Sequence, residues 1–230
     1  MKYMGSKRRI AKQILPIILQ NRKEGQYYVE PFCGGCNMID KVEGNRIAND
    51  ANQYIVSMWD AMVNDGWIPP SKVTEDEYNA IKNNKDHYPQ YLVGFVGVAL
   101  TFGSKWFRGY ARNKRGTNYA MEGRDNLYKQ IARLKGTEFQ SVSYDEMVIP
   151  DDSIIYCDPP YQSVTGYKDK FDSEKFWQWC REMTVKGHTV YISEYQAPSD
   201  FICVWQQELN SNMDASVMKK SVEKLFTYKV

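Results

Sequence analysis

The feature that most constrains this 230-residue chain is the run Ser153-Ile154-Ile155-Tyr156-Cys157, which stops abruptly at Asp158-Pro159-Pro160-Tyr161. A short, continuous apolar run suits a strand buried on both faces, as in a parallel sheet covered by helices. Residues 27–30, 46–49, 138–142 and 189–193 also read as strands, and residues 54–63 and 173–183 as helices. Ile10, Ile14, Ile17 and Ile18 predict a first helix, capped by Ser6 and kinked or ended by Pro16, and a further helix is expected after Gly35. Residues 201–206 and 222–229 read as two late strands, antiparallel at one edge. The alternation predicts an α/β fold with a doubly wound, Rossmann-like sheet.

Between residues 66 and 137 the texture changes. Pro69-Pro70 marks a break, helical patterns follow at 74–83 and 91–100, and a basic stretch containing glycine comes next. No repeat or long linker interrupts the chain. The expected organisation is a core of residues 1–65 and 138–230 with a mainly helical insertion at 66–137.

With 43% hydrophobic and 25% charged residues, the composition excludes a wholly disordered chain. No apolar run approaches the roughly 18 residues of a membrane span. Gln13, Pro16, Gln20 and Asn21 interrupt the residues a signal peptide would need, so the expected location is the cytoplasm. Five cysteines, at 33, 36, 157, 180 and 203, suit reduced thiols rather than a disulfide framework. Cys33 and Cys36 have the spacing of a zinc or redox pair, but there is no second pair and there are only two histidines, so no metal is expected.

The net charge of +2 hides an uneven distribution. Residues 105–135 hold nine basic side chains and two acids, so this window carries +7 and the remainder −5. Trp106, Phe107, Tyr110 and Tyr119 interleave with the cations. Such a surface can hold phosphates while stacking on or wedging between bases, and the expected partner is nucleic acid.

In open α/β sheets, ligands bind at the carboxyl ends of the strands. Three such ends carry candidate chemistry. Glu30-Pro31-Phe32-Cys33-Gly34-Gly35 offers adjacent glycines that let a ligand approach the backbone closely, and Asp50 follows the second strand at the spacing of a ribose-binding acid. The dinucleotide fingerprint is absent, so a cofactor with a ribose but no pyrophosphate fits better. Asp158-Pro159-Pro160-Tyr161 is a corner of acceptors, because neither proline has an N–H. Asp158 and the Pro159 carbonyl can take the two hydrogens of a substrate amino group, and Tyr161 offers a face for a base.

Read together, these motifs resemble the Dam-like (D12) S-adenosylmethionine-dependent DNA N6-adenine methyltransferases. The resemblance rests on Lys2-Tyr3-Met4-Gly5-Ser6-Lys7, Val29-Glu30-Pro31-Phe32-Cys33-Gly34-Gly35, Asn49-Asp50-Ala51-Asn52, Tyr156-Cys157-Asp158-Pro159-Pro160-Tyr161 and Val190-Tyr191-Ile192-Ser193-Glu194-Tyr195, in that order. It implies a methyltransferase sheet with an inserted target-recognition region, and S-adenosyl-L-methionine as cofactor. It implies cofactor contacts at Tyr3, Lys7, Glu30, Phe32, Cys33, Gly34, Gly35, Asp50, Ser143, Tyr144 and Asp158. Asp158, Pro159, Pro160 and Tyr161 are the implied catalytic corner. Double-stranded DNA is the implied partner, met by Lys105, Arg108, Arg112, Asn113, Lys114, Arg115, Asn118, Tyr119 and Arg124, with a flipped adenine and Tyr119 as wedge. Where the family has a further glycine this chain has Cys36, which leaves the course of the loop after Gly35 open.

Other readings fit the same residues. The acceptor corner also suits cytosine N4, RNA or a protein amide. A DNA-binding relative without catalysis and a nucleotide-dependent oxidoreductase are further alternatives. The size suits a phage or stand-alone enzyme, acting as a monomer or weak dimer.

Overall fold

A computed structural model of the chain describes residues 1–160, 171–211 and 219–229. Seven strands form one sheet: β1 (Tyr28–Glu30), β2 (Arg46–Asn49), β3 (Thr137–Gln140), β4 (Ile154–Cys157), β5 (Thr189–Ser193), β6 (Phe201–Ser211) and β7 (Lys219–Tyr228). Their spatial order is β3-β2-β1-β4-β5-β7-β6. The first five are parallel, and β7 inserts antiparallel between β5 and β6. This is the doubly wound sheet with an antiparallel edge that the pattern predicts. Outermost β6 carries a register shift between Cys203 and Trp205.

Side-chain alternation explains the apolar runs. Tyr28, Ile154, Tyr156 and Tyr191 enter one core, while Val29, Ile155, Cys157 and Ile192 enter a second on the opposite face. The first core is shared by α1 (Ala11–Ile18), α2 (Gln53–Val63), α4 (Gln90–Ala99) and α5 (Tyr119–Leu134). The second is built from α6 (Ser173–Val185), through Phe176, Trp177, Trp179, Cys180 and Met183. Both faces are therefore dry, and β4 can be apolar throughout.

Three local expectations change. Ser6 caps only a three-residue 3-10 turn, Lys7–Arg9, and α1 starts afterwards at Ala11 and runs two residues past Pro16. After Gly35 the expected helix is replaced by a 3-10 turn at Ile39–Lys41: the Gly35 and Cys36 carbonyls accept from the Gln130 side chain, and the Asp40 amide reaches the Cys36 carbonyl only at 3.4 Å. The basic stretch contains a 16-residue helix, α5, capped by Asn118, whose side chain accepts from the Met121 amide. Its buried residues Ala120, Leu127, Gln130 and Leu134 form one stripe beneath a charged outer face.

The segment 66–137 has no core of its own. Tyr78 and Ile81 of α3 (Glu75–Asn83), with Phe95 and Leu127, join the cluster that holds Ile14, Tyr28 and Trp59. Gly94 makes this possible: a Cβ there would lie 2.0 Å from the Tyr54 carbonyl oxygen, so α4 crosses α2 at backbone distance. At the far end, the buried guanidinium of Arg46 fastens β2 to the last turn of α5. Its Nη1 donates to the Val42 and Arg133 carbonyls and its Nη2 to that of Lys135, each at 2.7 Å. Two of these are carbonyls that the end of a helix leaves open.

Candidate active site

β1 has β2 on one side and β4 on the other, and the order of the chain reverses there. The crevice beyond these strand ends is where such sheets bind ligands. Asp158 follows β4 directly. Its Oδ1 accepts from the Lys7 Nζ at 2.7 Å, and that ammonium also donates to the Gly5 carbonyl and lies 3.9 Å from Glu223. The Lys7 side chain is 5% exposed and that of Asp158 22%. The N-terminal segment thus delivers a buried cation to the carboxylate at the end of the central strand.

Further acids surround this pair, as the strand register requires. Cys157 sits beside Ile192, and Ser193 beside Leu225, so Asp158, Glu194 and Glu223 gather at one end of the sheet with Glu30. Burial pushes the Glu30 carboxyl up to about 8, with the Tyr28 hydroxyl at 2.9 Å opposing the rise and Asp158 adding to it. Burial also lifts Glu194 to about 7, against the pull of the Tyr195 amide. Asp158 is raised by burial too, but Lys7 holds it back. The arrangement separates the roles: Glu30 is the neutral acid at pH 7, and Asp158 has the adjacent cation.

The loop after β1 is pinned from several sides. The Gly34 amide donates to Asp50 Oδ2 at 3.0 Å, and the Asn52 amide donates to Asp50 Oδ1 at 2.9 Å. Trp59 donates its indole N–H to the Gly34 carbonyl. Tyr3 lies against both glycines, where a Cβ on Gly34 would come within 2.5 Å of its ring and one on Gly35 within 2.7 Å of its own Cβ. Cys36 occupies the left-handed region at φ 49, the conformation a glycine takes without strain. Its thiol and that of Cys33 are both buried. Among the described residues no group of three or more His, Cys, Asp or Glu is placed to hold a metal ion.

Tyr3, Lys7, Gly34, Gly35, Asp50 and Asp158 are therefore brought together, with Glu30 and Cys33 buried behind them. Phe32 and Tyr144 lie to one side, with ring centroids 5.4 Å apart, both against Phe176 of α6. Burial pushes the Tyr144 hydroxyl up to about 12. Ser143 is turned toward Asp145, to which its hydroxyl donates. Pro159 and Pro160 follow Asp158, while Tyr161 lies outside the described residues. Glu223 and Gln130 were not reached from the sequence, and Glu194 appears there only within a motif, with no role. The two glutamates join the site through strand register, and Gln130 through a helix that the charge pattern concealed.

The basic segment presents its residues unevenly. Arg108, Lys114 and Arg115 are exposed and Lys105 is half-buried. Arg112 pairs with Glu75. Asn113 shapes its own loop, accepting from the Arg115 and Thr117 amides, and Asn118 donates to the Ser71 carbonyl besides capping α5. Tyr119 is half-buried in the first turn of α5, and Arg124 lies with its Nε 3.9 Å from Asp125. Among the aromatic rings of this region Phe102 is the most exposed, at 66%, with Trp106 and Tyr128 also exposed.

Residues 3–108 and 103–216 match the family of D12 class N6 adenine-specific DNA methyltransferases. A curated relative, the modification methylase StsI of Streptococcus sanguinis, is 25% identical over 224 residues. The match takes in 84% of this chain, which spans about a third (33%) of that relative. A class I S-adenosylmethionine-dependent methyltransferase of known structure from Listeria monocytogenes superposes at a TM-score of 0.42 and 8% identity, over 100% of this chain and 61% of the other. A methyltransferase solved in complex with SAH gives 0.39 and 12%, over 99% and 54%. With the family matched along most of its length, this chain belongs to the D12 class N6 adenine-specific DNA methyltransferases.

Proposed function

We propose that this chain transfers a methyl group from S-adenosyl-L-methionine to N6 of a flipped-out adenine in double-stranded DNA. The observation that carries the reading is Asp158, held by buried Lys7 at the end of β4, followed by two prolines and facing the loop that Tyr3 and Asp50 pin. The donor set suits the cofactor. Each Asp50 oxygen takes one backbone N–H and keeps acceptor capacity for a ribose hydroxyl. Phe32 and Tyr144 offer apolar surface beside it for a purine.

When bound, the sulfonium supplies a methyl group already activated for transfer. The chain's own part is alignment and charge. Asp158 and the Pro159 carbonyl accept the two N6 hydrogens, which directs the nitrogen lone pair away from the corner and toward the loop. Positive charge developing on N6 faces the carboxylate, and the proton released after transfer leaves through Asp158 Oδ2, the oxygen that Lys7 does not engage. Tyr161 is assigned to stack on the base. Segment 66–137 is the recognition region and residues 1–65 and 138–230 the catalytic core. Arg108, Lys114 and Arg115 hold phosphates, while Tyr119 or the more exposed Phe102 fills the gap left by the base. No helix among the described residues is long and apolar enough to cross a membrane, and we assign the protein to the cytoplasm as a monomer or weak dimer.

The test is transfer of labelled methyl to unmethylated DNA, followed by nucleoside digestion and mass analysis. N6-methyladenine from the wild type and none from Asp158→Ala is the expected result. Methylcytosine, or no product on any DNA, overturns the reading.

A further inference from the structure

Gln130 stands out among the buried polar residues. It lies in α5, 3% exposed, about 95 residues in sequence from the loop it touches. Its Nε2 donates to two consecutive carbonyls, those of Gly35 at 3.2 Å and Cys36 at 3.1 Å. Its Oε1 is buried with no hydrogen-bond partner among the described residues. The reverse orientation of the amide would set that oxygen against two carbonyl oxygens, so the donors fix the side chain. An orphaned buried acceptor is costly, and a side chain needed only for packing at this site would be leucine or methionine.

The cost has a counterpart in the loop. Cys36 carries a Cβ at φ 49, a conformation that disfavours every residue but glycine. Such a residue persists only where its surroundings over-determine it. The Gln130 amide takes the Cys36 carbonyl and the one before it, while the Cys36 amide donates back to the Cys33 carbonyl at 2.7 Å. Three residues further along α5, Arg133 pairs with buried Asp40, a second tie from the same helix to the same segment.

We propose that Gln130 is a positioning residue for the cofactor: it holds Cys36 left-handed in place of a glycine, and so keeps the Gly34-Gly35 turn in the shape that binds S-adenosyl-L-methionine. The proposal rests on the function given above, and it makes a helix of the inserted segment part of the cofactor site.

The test uses Gln130→Met, of similar length but without the donors, and binding of S-adenosylhomocysteine measured by calorimetry without DNA. Losing the two hydrogen bonds weakens binding about tenfold, equivalent to ~1.4 kcal/mol. In the unliganded protein, amide hydrogen exchange accelerates in residues 33–41 and not in β4 or α6. Glycine accepts the left-handed conformation unaided, so the double variant Q130M/C36G binds as tightly as the C36G baseline. A structural role alone lowers the folded fraction and is not rescued by glycine. Should Q130M fail to fold, Gln130→Glu keeps the length and at most one donor, and an intermediate loss is expected. Unchanged affinity in either variant, or a loss that C36G leaves uncorrected, overturns the proposal alone. A wild type that binds no S-adenosylhomocysteine overturns the functional reading with it.

Discussion

Replacing Lys7 by methionine tests the charge arrangement at the centre of the site. The Asp158 carboxylate is raised by burial and held back by Lys7, with Glu223 acting against it as well. Removing one member of a buried pair costs about 3–5 kcal/mol. The Asp158 side chain is still 22% exposed, so the lower end of that range, about 3 kcal/mol, applies to Lys7→Met. The sign follows from which form loses its partner: the carboxylate does, so the pKa rises and the acid needs a higher pH to ionise. If ionised Asp158 orients N6, the acid limb of kcat/KM moves to higher pH in Lys7→Met, and activity lost near neutrality returns in part at alkaline pH. The assay is kcat/KM for methyl transfer between about pH 5.5 and 9, with folding monitored by circular dichroism. An acid limb that superimposes on that of the wild type, with only the plateau lowered, would refute the reasoning.

Glu30 has a pKa of about 8, so the folded state binds its proton more tightly than the unfolded chain and stability falls as the pH rises from about 4.5 to 8. Glu30→Gln removes that dependence, and urea midpoints for variant and wild type should diverge in favour of the variant above neutrality. Asp50→Ala loses the acceptors for the Gly34 and Asn52 amides and the proposed ribose contact, and weakens S-adenosylhomocysteine binding by about a hundredfold, or ~2.7 kcal/mol, in calorimetry. Gly94→Ala forces a Cβ onto the Tyr54 carbonyl and destabilises the fold by about 3 kcal/mol or more, read as a fall in thermal midpoint. Replacing Lys114 and Arg115 together by alanine lowers the slope of log affinity for DNA against log salt by about 2, with S-adenosylhomocysteine affinity unaltered.

Most of the sheet was legible because its strands follow simple rules. The run at 154–157 could only be a strand covered on both sides, and Pro159-Pro160 could only end it. The acids Asp50 and Asp158 were visible for the same reason, since both sit directly after a strand. Helix α5 was hidden because its outward face carries most of its charge, and the apolar stripe of Ala120, Leu127 and Leu134 is thin beside it. The segment before the turn at Ile39–Lys41 was read as the start of a helix because Gln130, which donates to the Gly35 and Cys36 carbonyls, lies far away in sequence. Glu194, just past the end of β5, and Glu223 of β7 meet only once β7 has inserted beside β5. Local pattern carries no information about such meetings.

The Arg46 guanidinium bears on how the chain reaches this state. Arg46 and Thr137 are register partners in β2 and β3, yet the whole run from α2 through α5 lies between them. Closing so long a loop has an entropic cost that is met before the strand pair returns any stabilisation, which slows folding. By taking the carbonyls of Arg133 and Lys135, Arg46 captures the returning helix just ahead of β3. It acts as the clasp of the crossover, and we expect the β2–β3 edge to be the last part of the parallel sheet to close and the first to open under load.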